Sequence, residues 1–218
     1  MKLMPFWIAS MILAAGGGWI ASTVGSSNAS GREPRFPQLT MEQLSDAQRP
    51  LADKIMKISS VGIGGPYNAL LRSPVMAQRM YDLLEYLRWN TSVPIRLNEF
   101  AILIQGRLWR SQVEWYAHYP LALKAGLSQK VADDLKANKR PDGMQADEAA
   151  VYDMCMELST KHEVSDETFN RLRQFMSEQQ VIDLVVLSGT YVTVAMVLSV
   201  AEAVPPAGKE LPFKPGEL

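Results

Sequence analysis

Between Glu99 and Gly126 the chain reads EFAILIQGRLWRSQVEWYAHYPLALKAG. Four side chains able to handle protons or hold anions recur there at helical steps: Arg107, Ser111, Glu114 and His118. On one continuous helix those steps place the four in a row. Glu114 and His118, one turn apart, suit proton transfer. An imidazole titrates near neutral pH, and a neighbouring carboxylate can orient it or act as acid or base itself. Arg107 or Arg110 can hold a substrate carboxylate by a bidentate contact. The competing reading is a satisfied polar network that only joins helices, because such groups cost stability when buried without partners. The same Glu114–His118 spacing admits a divalent metal, but the chain is read here as free of metal and cofactor.

The row needs a helix to carry it, and Ile102, Leu103 and Leu108 supply a packing face. The spacing predicts a central helix from Arg96 onward, with a second helix following it. Upstream, Thr40 with Gln43 predicts a capped helix over TMEQLSDAQRPLADKIM. Gly62, Gly64, Gly65 and Pro66 then break the chain. Helical periodicity resumes at Tyr67–Leu71 and again from Pro74 to Trp89, with Met76, Met80, Leu83, Leu84 and Leu87 on one side. Ser92-Val93-Pro94 ends that stretch. Downstream, Ser128 caps VADDLKANK, Arg140-Pro141-Asp142-Gly143 makes a turn, and Asp147–His162 and Ser165–Met176 give two amphipathic helices. No alternation reads as a strand. The expectation is an all-α chain.

From Val185 to Val200 the sequence VVLSGTYVTVAMVLSV carries no charge. Its length brushes the lower limit for a membrane span. Ser188, Gly189, Thr190 and Thr193 interrupt it, so a helix buried in a bundle or an oligomer is the expectation. Such a helix is too apolar to face water on a lone protomer, which argues for association.

The 218 residues are 47 % hydrophobic and 21 % charged, with a formal net charge of −1, enough for one domain with a real core. That charge offers no electrostatic footprint for nucleic acid. Cys155 is the single cysteine, which excludes an intrachain disulfide, a thiolate zinc cluster and a CxxC redox centre. Its setting among Met154, Met156 and Leu158 predicts a buried packing residue. His162, beside Lys161 and Glu163, reads as a solvated surface residue. Residues 1–29 read as a signal peptide: Lys2, an apolar run from Met4 to Ala15, then small residues up to Ser27-Asn28-Ala29. An uncleaved anchor is the alternative, and it is the only route by which a membrane would become a partner. Either reading exports the domain, with the periplasm of a bacterium as the expected site.

Three blocks together resemble the carboxymuconolactone decarboxylase family, which includes the alkylhydroperoxidase AhpD. They are GPYNALLRSP at 65–74, RLNEFAILIQGRLWRSQVEWYAHYPLALKAGLS at 96–128 and VVLSGTYVTVAMVLSV at 185–200. The resemblance implies a helical bundle built round a central helical hairpin and assembled as trimers or hexamers. With the leader (or anchor) at 1–29 set apart, it divides the chain into an N-terminal extension with one helix at 30–64, the family-like domain at 65–206 and an irregular tail at 207–218. The peroxidase branch of that family carries a glutamate, a CxxC pair and a histidine four residues after the second cysteine. The corresponding positions here are Glu99, Ser111, Glu114 and His118. Both cysteines are therefore replaced, and neither Ser nor Glu can form the disulfide that reduces a peroxide. The resemblance thus implies a decarboxylase-like exported enzyme without thiol chemistry. Its expected catalytic residues are Glu99, Glu114 and His118, and its expected substrate-binding residues are Arg107, Arg110, Ser111 and Tyr116. The substrate would be a small, cyclic carboxylate or lactone. A non-catalytic exported binding or assembly protein on the same scaffold is the alternative.

Overall fold

The structure is a computed structural model that describes residues 34–59, 62–206 and 208–213. The expected leader at 1–29 lies outside the described residues, as do residues 207 and 214–218 of the expected irregular tail.

Helices alone carry the described residues. They are α1 Arg49–Ile58, α2 Pro66–Leu70, α3 Pro74–Glu85, α4 Ile95–Leu108, α5 Gln112–Lys124, α6 Gln129–Lys136, α7 Ala146–Thr160, α8 Asp166–Leu172 and α9 Glu178–Ala201. A short 3₁₀ turn at Met41–Gln43 precedes α1, and a π-helical turn at Tyr86–Asn90 extends α3. The bundle forms around α4. Leu97 to Arg107 are all buried, and α5, α6, α7 and α9 pack on it. Phe100, Ile102, Leu103 and Ile104 lose all contact with solvent. A helix with so few charges around its circumference is stable only inside.

The buried polar groups of α4 have partners, as burial requires. Asn98 donates to the Leu87 carbonyl at 2.7 Å. Gln105 donates to the hydroxyls of Ser159 and Ser188 at 3.0 and 2.7 Å, tying α4 to α7 and α9.

Two expected elements come out differently. The stretch from Thr40 to Met56 is not one helix. The Thr40 amide is accepted by the Gln43 side chain at 2.9 Å, but that closes only a 3₁₀ turn. The α-helix starts at Arg49, with Pro50 in its first turn, where a missing N–H costs nothing.

The row Arg107–Ser111–Glu114–His118 is also broken. The chain reverses at Trp109-Arg110, so Arg107 lies in the last turn of α4, whereas Ser111 caps α5 and Glu114 and His118 lie within it. Arg110 adopts the left-handed conformation, φ 50°. Its amide bonds to the Arg107 carbonyl at 3.1 Å, and the Ser111 amide bonds to the Gly106 carbonyl at 2.8 Å. These two bonds close a helix end in the manner usually assigned to glycine. The α4–α5 pair is the central helical hairpin.

Helix α9 is long and apolar enough to cross a membrane. Here Leu184, Leu187, Tyr191, Val194 and Leu198 are buried, with α4 and α2 packed against the helix. Its opposite face leaves Ile182, Val186, Met196 and Val200 exposed.

Candidate functional site

The two arms of the hairpin bring Glu99 and His118 together. His118 Nδ1 lies 2.6 Å from Glu99 Oε2, and both side chains are buried. Burial alone would push Glu99 up. The hydrogen bond from His118 and the charge of Arg88 outweigh it, so its carboxyl stays below its ordinary value. His118 is shifted down by burial, against the opposing pull of Glu99, with the charge of Arg88 adding to the downward shift. The pair is therefore a carboxylate and a neutral imidazole at neutral pH. An ionised carboxylate only accepts hydrogen bonds, so the proton sits on Nδ1 and Nε2 keeps its lone pair. Tyr191 of α9 meets the imidazole edge-on, with ring centres 5.1 Å apart. The imidazole keeps 8 % of its side-chain surface.

Arg88 completes this group, and sequence reasoning missed it. Its Nη2 is 3.2 Å from Glu99 Oε1, and 21 % of its side chain is exposed. The π-helical turn aims it. In that turn the Thr91 amide reaches back to the Tyr86 carbonyl at 2.9 Å. Asp183 of α9 accepts from both Tyr86 and Thr91, at 3.0 and 2.7 Å, and Asn98 holds the Leu87 carbonyl. Leu87 plugs the core beneath. Single π turns inside helices occur often at functional sites. Their only trace in this sequence is the break at Ser92-Val93-Pro94 that follows.

Glu114 is buried one turn before His118, but the two do not pair; the partner of His118 is Glu99. Both Glu114 oxygens and the neighbouring Ser111 hydroxyl oxygen are enclosed without a hydrogen bond of acceptable geometry. Burial raises the Glu114 carboxyl to about 8, and the Ser111 hydroxyl close by offsets only part of that. Glu114 is thus a neutral acid at pH 7, kept beside a neutral base. It belongs to the same neighbourhood, because the Tyr191 phenol is influenced by the charges of Arg88, Glu99 and Glu114. Gly106 faces Glu114 across the hairpin: a Cβ added there would lie in ordinary contact with the Glu114 Cβ, at 3.6 Å.

The other expected site residues lie apart. Arg107 points to the far end of α4, where its Nε donates to the Lys136 carbonyl at 2.9 Å and its guanidinium stacks on Phe213 at 5.3 Å. It lines a cavity of ≈ 230 Å³ with Asp133, Lys136, Ala137, Pro212 and Phe213. None of Arg88, Glu99, Glu114 or His118 lines that cavity. The cavity is therefore not the place where acid–base chemistry is concentrated. Arg110, at the reversal, is exposed, and Tyr116 is half-buried on α5. Cys155 is fully buried, its thiol pushed up to about 12 by desolvation, and His162 is exposed. Among the described residues no three His, Cys, Asp or Glu side chains cluster as a metal site.

No family model matches the chain, and no curated protein matches it. Solved structures do. One is the alkylhydroperoxidase AhpD core of a peroxidase-related protein from Ralstonia eutropha JMP134. Its TM-score is 0.67 at 14 % identity, covering 80 % of this chain and 93 % of that one. Another is a peroxidase-related protein from Silicibacter sp. TM1040, with TM-score 0.67 at 12 % identity, covering 86 % and 96 %. Identities this low speak for architecture and not for activity. In fold, this chain is an AhpD-like helical protein.

Proposed function

We propose that the chain is a carboxymuconolactone decarboxylase-like exported enzyme. It acts by Glu/His proton transfer on a small, cyclic carboxylate or lactone and uses no thiol peroxidase chemistry. The observation that carries the reading is the 2.6 Å bond between Glu99 and His118 Nδ1, which leaves a base at Nε2. A carboxylate behind an imidazole fixes its tautomer and stabilises the cation formed when it takes a proton. Glu114 supplies the complementary acid. In a decarboxylation the bond from carbon to carboxylate breaks and carbon dioxide leaves. The electron pair passes to an adjacent carbonyl as an enolate, and the Glu114 O–H then protonates the carbon. Water restores the proton on Glu114. His118 Nε2 relays that proton, taking it from water and passing it to Glu114, and the hydroxide left behind combines with the released carbon dioxide as bicarbonate. Thiol chemistry finds no support: Ser111 and Glu114 stand where the two thiols would be, and Cys155 is sealed.

The working form in this reading is a homo-oligomer, a trimer or a hexamer, outside the cytoplasm. Support for association comes from the exposed apolar stripe Ile182, Val186, Met196 and Val200 on α9. The second reading, an exported binding or assembly protein, draws on the enclosure of both Glu114 oxygens. A mass-resolved screen of small cyclic carboxylates and lactones with the purified protein separates the two. The enzyme consumes one of them with loss of carbon dioxide, and His118→Ala does not. A protein that turns over nothing in such a screen is the binding or assembly protein.

A further inference from the structure

Arg88 has more donors than the protein uses. Among the described residues its acceptor is Glu99, reached by Nη2. Its side chain keeps 21 % of its surface, next to a Glu99 that is almost fully covered. A guanidinium presents five donors in a fixed plane that matches a carboxylate edge-on. Aromatic rings surround it. The Trp89 indole stacks 5.1 Å from the guanidinium carbon and is itself 49 % exposed. The phenols of Tyr67 and Tyr191 lie within range of its charge. The turn that carries Arg88 is held from two sides, by Asp183 of α9 and by Asn98 of α4. The guanidinium is therefore presented by a braced backbone rather than a loose loop.

We infer that Arg88 is the specificity-determining residue of the site: it binds the carboxylate of a small ring-bearing anion and directs the ring toward His118. Arg107 and Arg110, the arginines the sequence offers for this task, lie elsewhere. The charges facing the bound anion are Arg88, positive, and Glu99, negative; His118 and Glu114 are neutral at pH 7. Glu99 therefore competes with the ligand for Arg88, and removing its charge strengthens anion binding. The inference rests on the proposed site, but binding is read without turnover. A failed substrate screen leaves the charge preference standing, and a lost preference leaves the proton chemistry of His118 standing.

Calorimetric titration of the purified full chain with benzoate, and with benzamide as its neutral counterpart, tests this. Benzoate is expected to bind at least about tenfold more tightly, the usual weight of a charge-assisted hydrogen bond. Glu99→Gln tightens benzoate binding further. Arg88→Gln removes the preference. Because that change strands the Glu99 carboxylate, the double variant Arg88→Gln/Glu99→Gln, which removes both charges together, decides if the single variant does not fold. Equal affinity for the two ligands in the wild type, no benzoate binding by the folded protein, or a preference that survives in the double variant would overturn the inference.

Discussion

His118 Nδ1 and Glu99 Oε2 lie 2.6 Å apart although 19 residues separate them in the chain. The hairpin between α4 and α5 makes the meeting, and the hydrogen bond from His118, joined by the charge of Arg88 on the far carboxylate oxygen, keeps Glu99 ionised against the pull of burial. The tautomer of His118 follows. Long-range ¹H–¹⁵N spectra at pH 7 should show His118 protonated at Nδ1 and bare at Nε2, still neutral when the pH falls below 6.5, its ordinary value. An imidazolium at pH 7, or a proton on Nε2, would remove the base from the site.

Stability should fall as pH rises from 6.5 to 8. Glu114 has a folded value of about 8 against an ordinary 4.5, so over that window the folded chain keeps a proton that the unfolded chain has lost. The slope from one such group is at most about 1.4 kcal/mol per pH unit, and its sign is a loss of stability with rising pH. His118, whose folded value is depressed, acts in the opposite direction below 6.5, where the unfolded imidazole is the more protonated. The two effects oppose each other there and separate above it. Denaturant unfolding of Glu114→Gln should show a flatter profile from pH 6.5 to 8 and greater stability at pH 8. An unchanged slope would mean that Glu114 is already ionised in the fold.

Peroxide should not be consumed with a dithiol reductant. Cys155 is fully buried in α7 with its thiol pushed up to about 12, and no second cysteine exists to close a disulfide. A peroxide assay with and without Cys155→Ala should give two equal baselines. Robust turnover abolished by the substitution would contradict this.

Association should depend on α9. Ile182 is 60 % exposed and Val200 55 % exposed on a face that carries no charged side chain between them. Light scattering at micromolar concentration should report an oligomer, and Ile182→Glu with Val186→Glu should shift it toward monomer, leaving the helical spectrum intact. A wild-type protein that is monomeric under those conditions would place the stripe outside any subunit interface.

Periodicity made most of the helices legible, because α3, α7, α8 and α9 keep apolar residues at helical spacing. The chain reversal at Arg110 was not legible. Residues favouring the left-handed conformation are glycine and asparagine, and arginine gives no local sign of it. That one turn separates Arg107 from the Ser111–Glu114–His118 side of the hairpin and carries it to Lys136 and Phe213. Spacing also favoured a Glu114–His118 pair, since i and i+4 are neighbours on a helix. The partner of the imidazole is instead Glu99, from the other arm, a tertiary contact that only the family resemblance hinted at. Arg88 gave no signal, because a π turn is made by its surroundings: Asp183 and Asn98, which brace it, come from two other places in the chain.

In the proposed reading the Glu99–His118 pair moves protons and does not merely brace two helices. Its most direct test is the turnover of His118→Gln on a carboxylate or lactone consumed by the wild type, read beside its thermal midpoint. Glutamine preserves much of the volume and can still donate to Glu99, which Arg88 also holds. Turnover should fall by about 10² or more, the usual contribution of a positioned proton-transfer group, while the midpoint barely moves. A variant that keeps its turnover, or one that loses about 1–3 kcal/mol of stability when no substrate is consumed even by the wild type, would contradict it and leave the pair as a brace between helices.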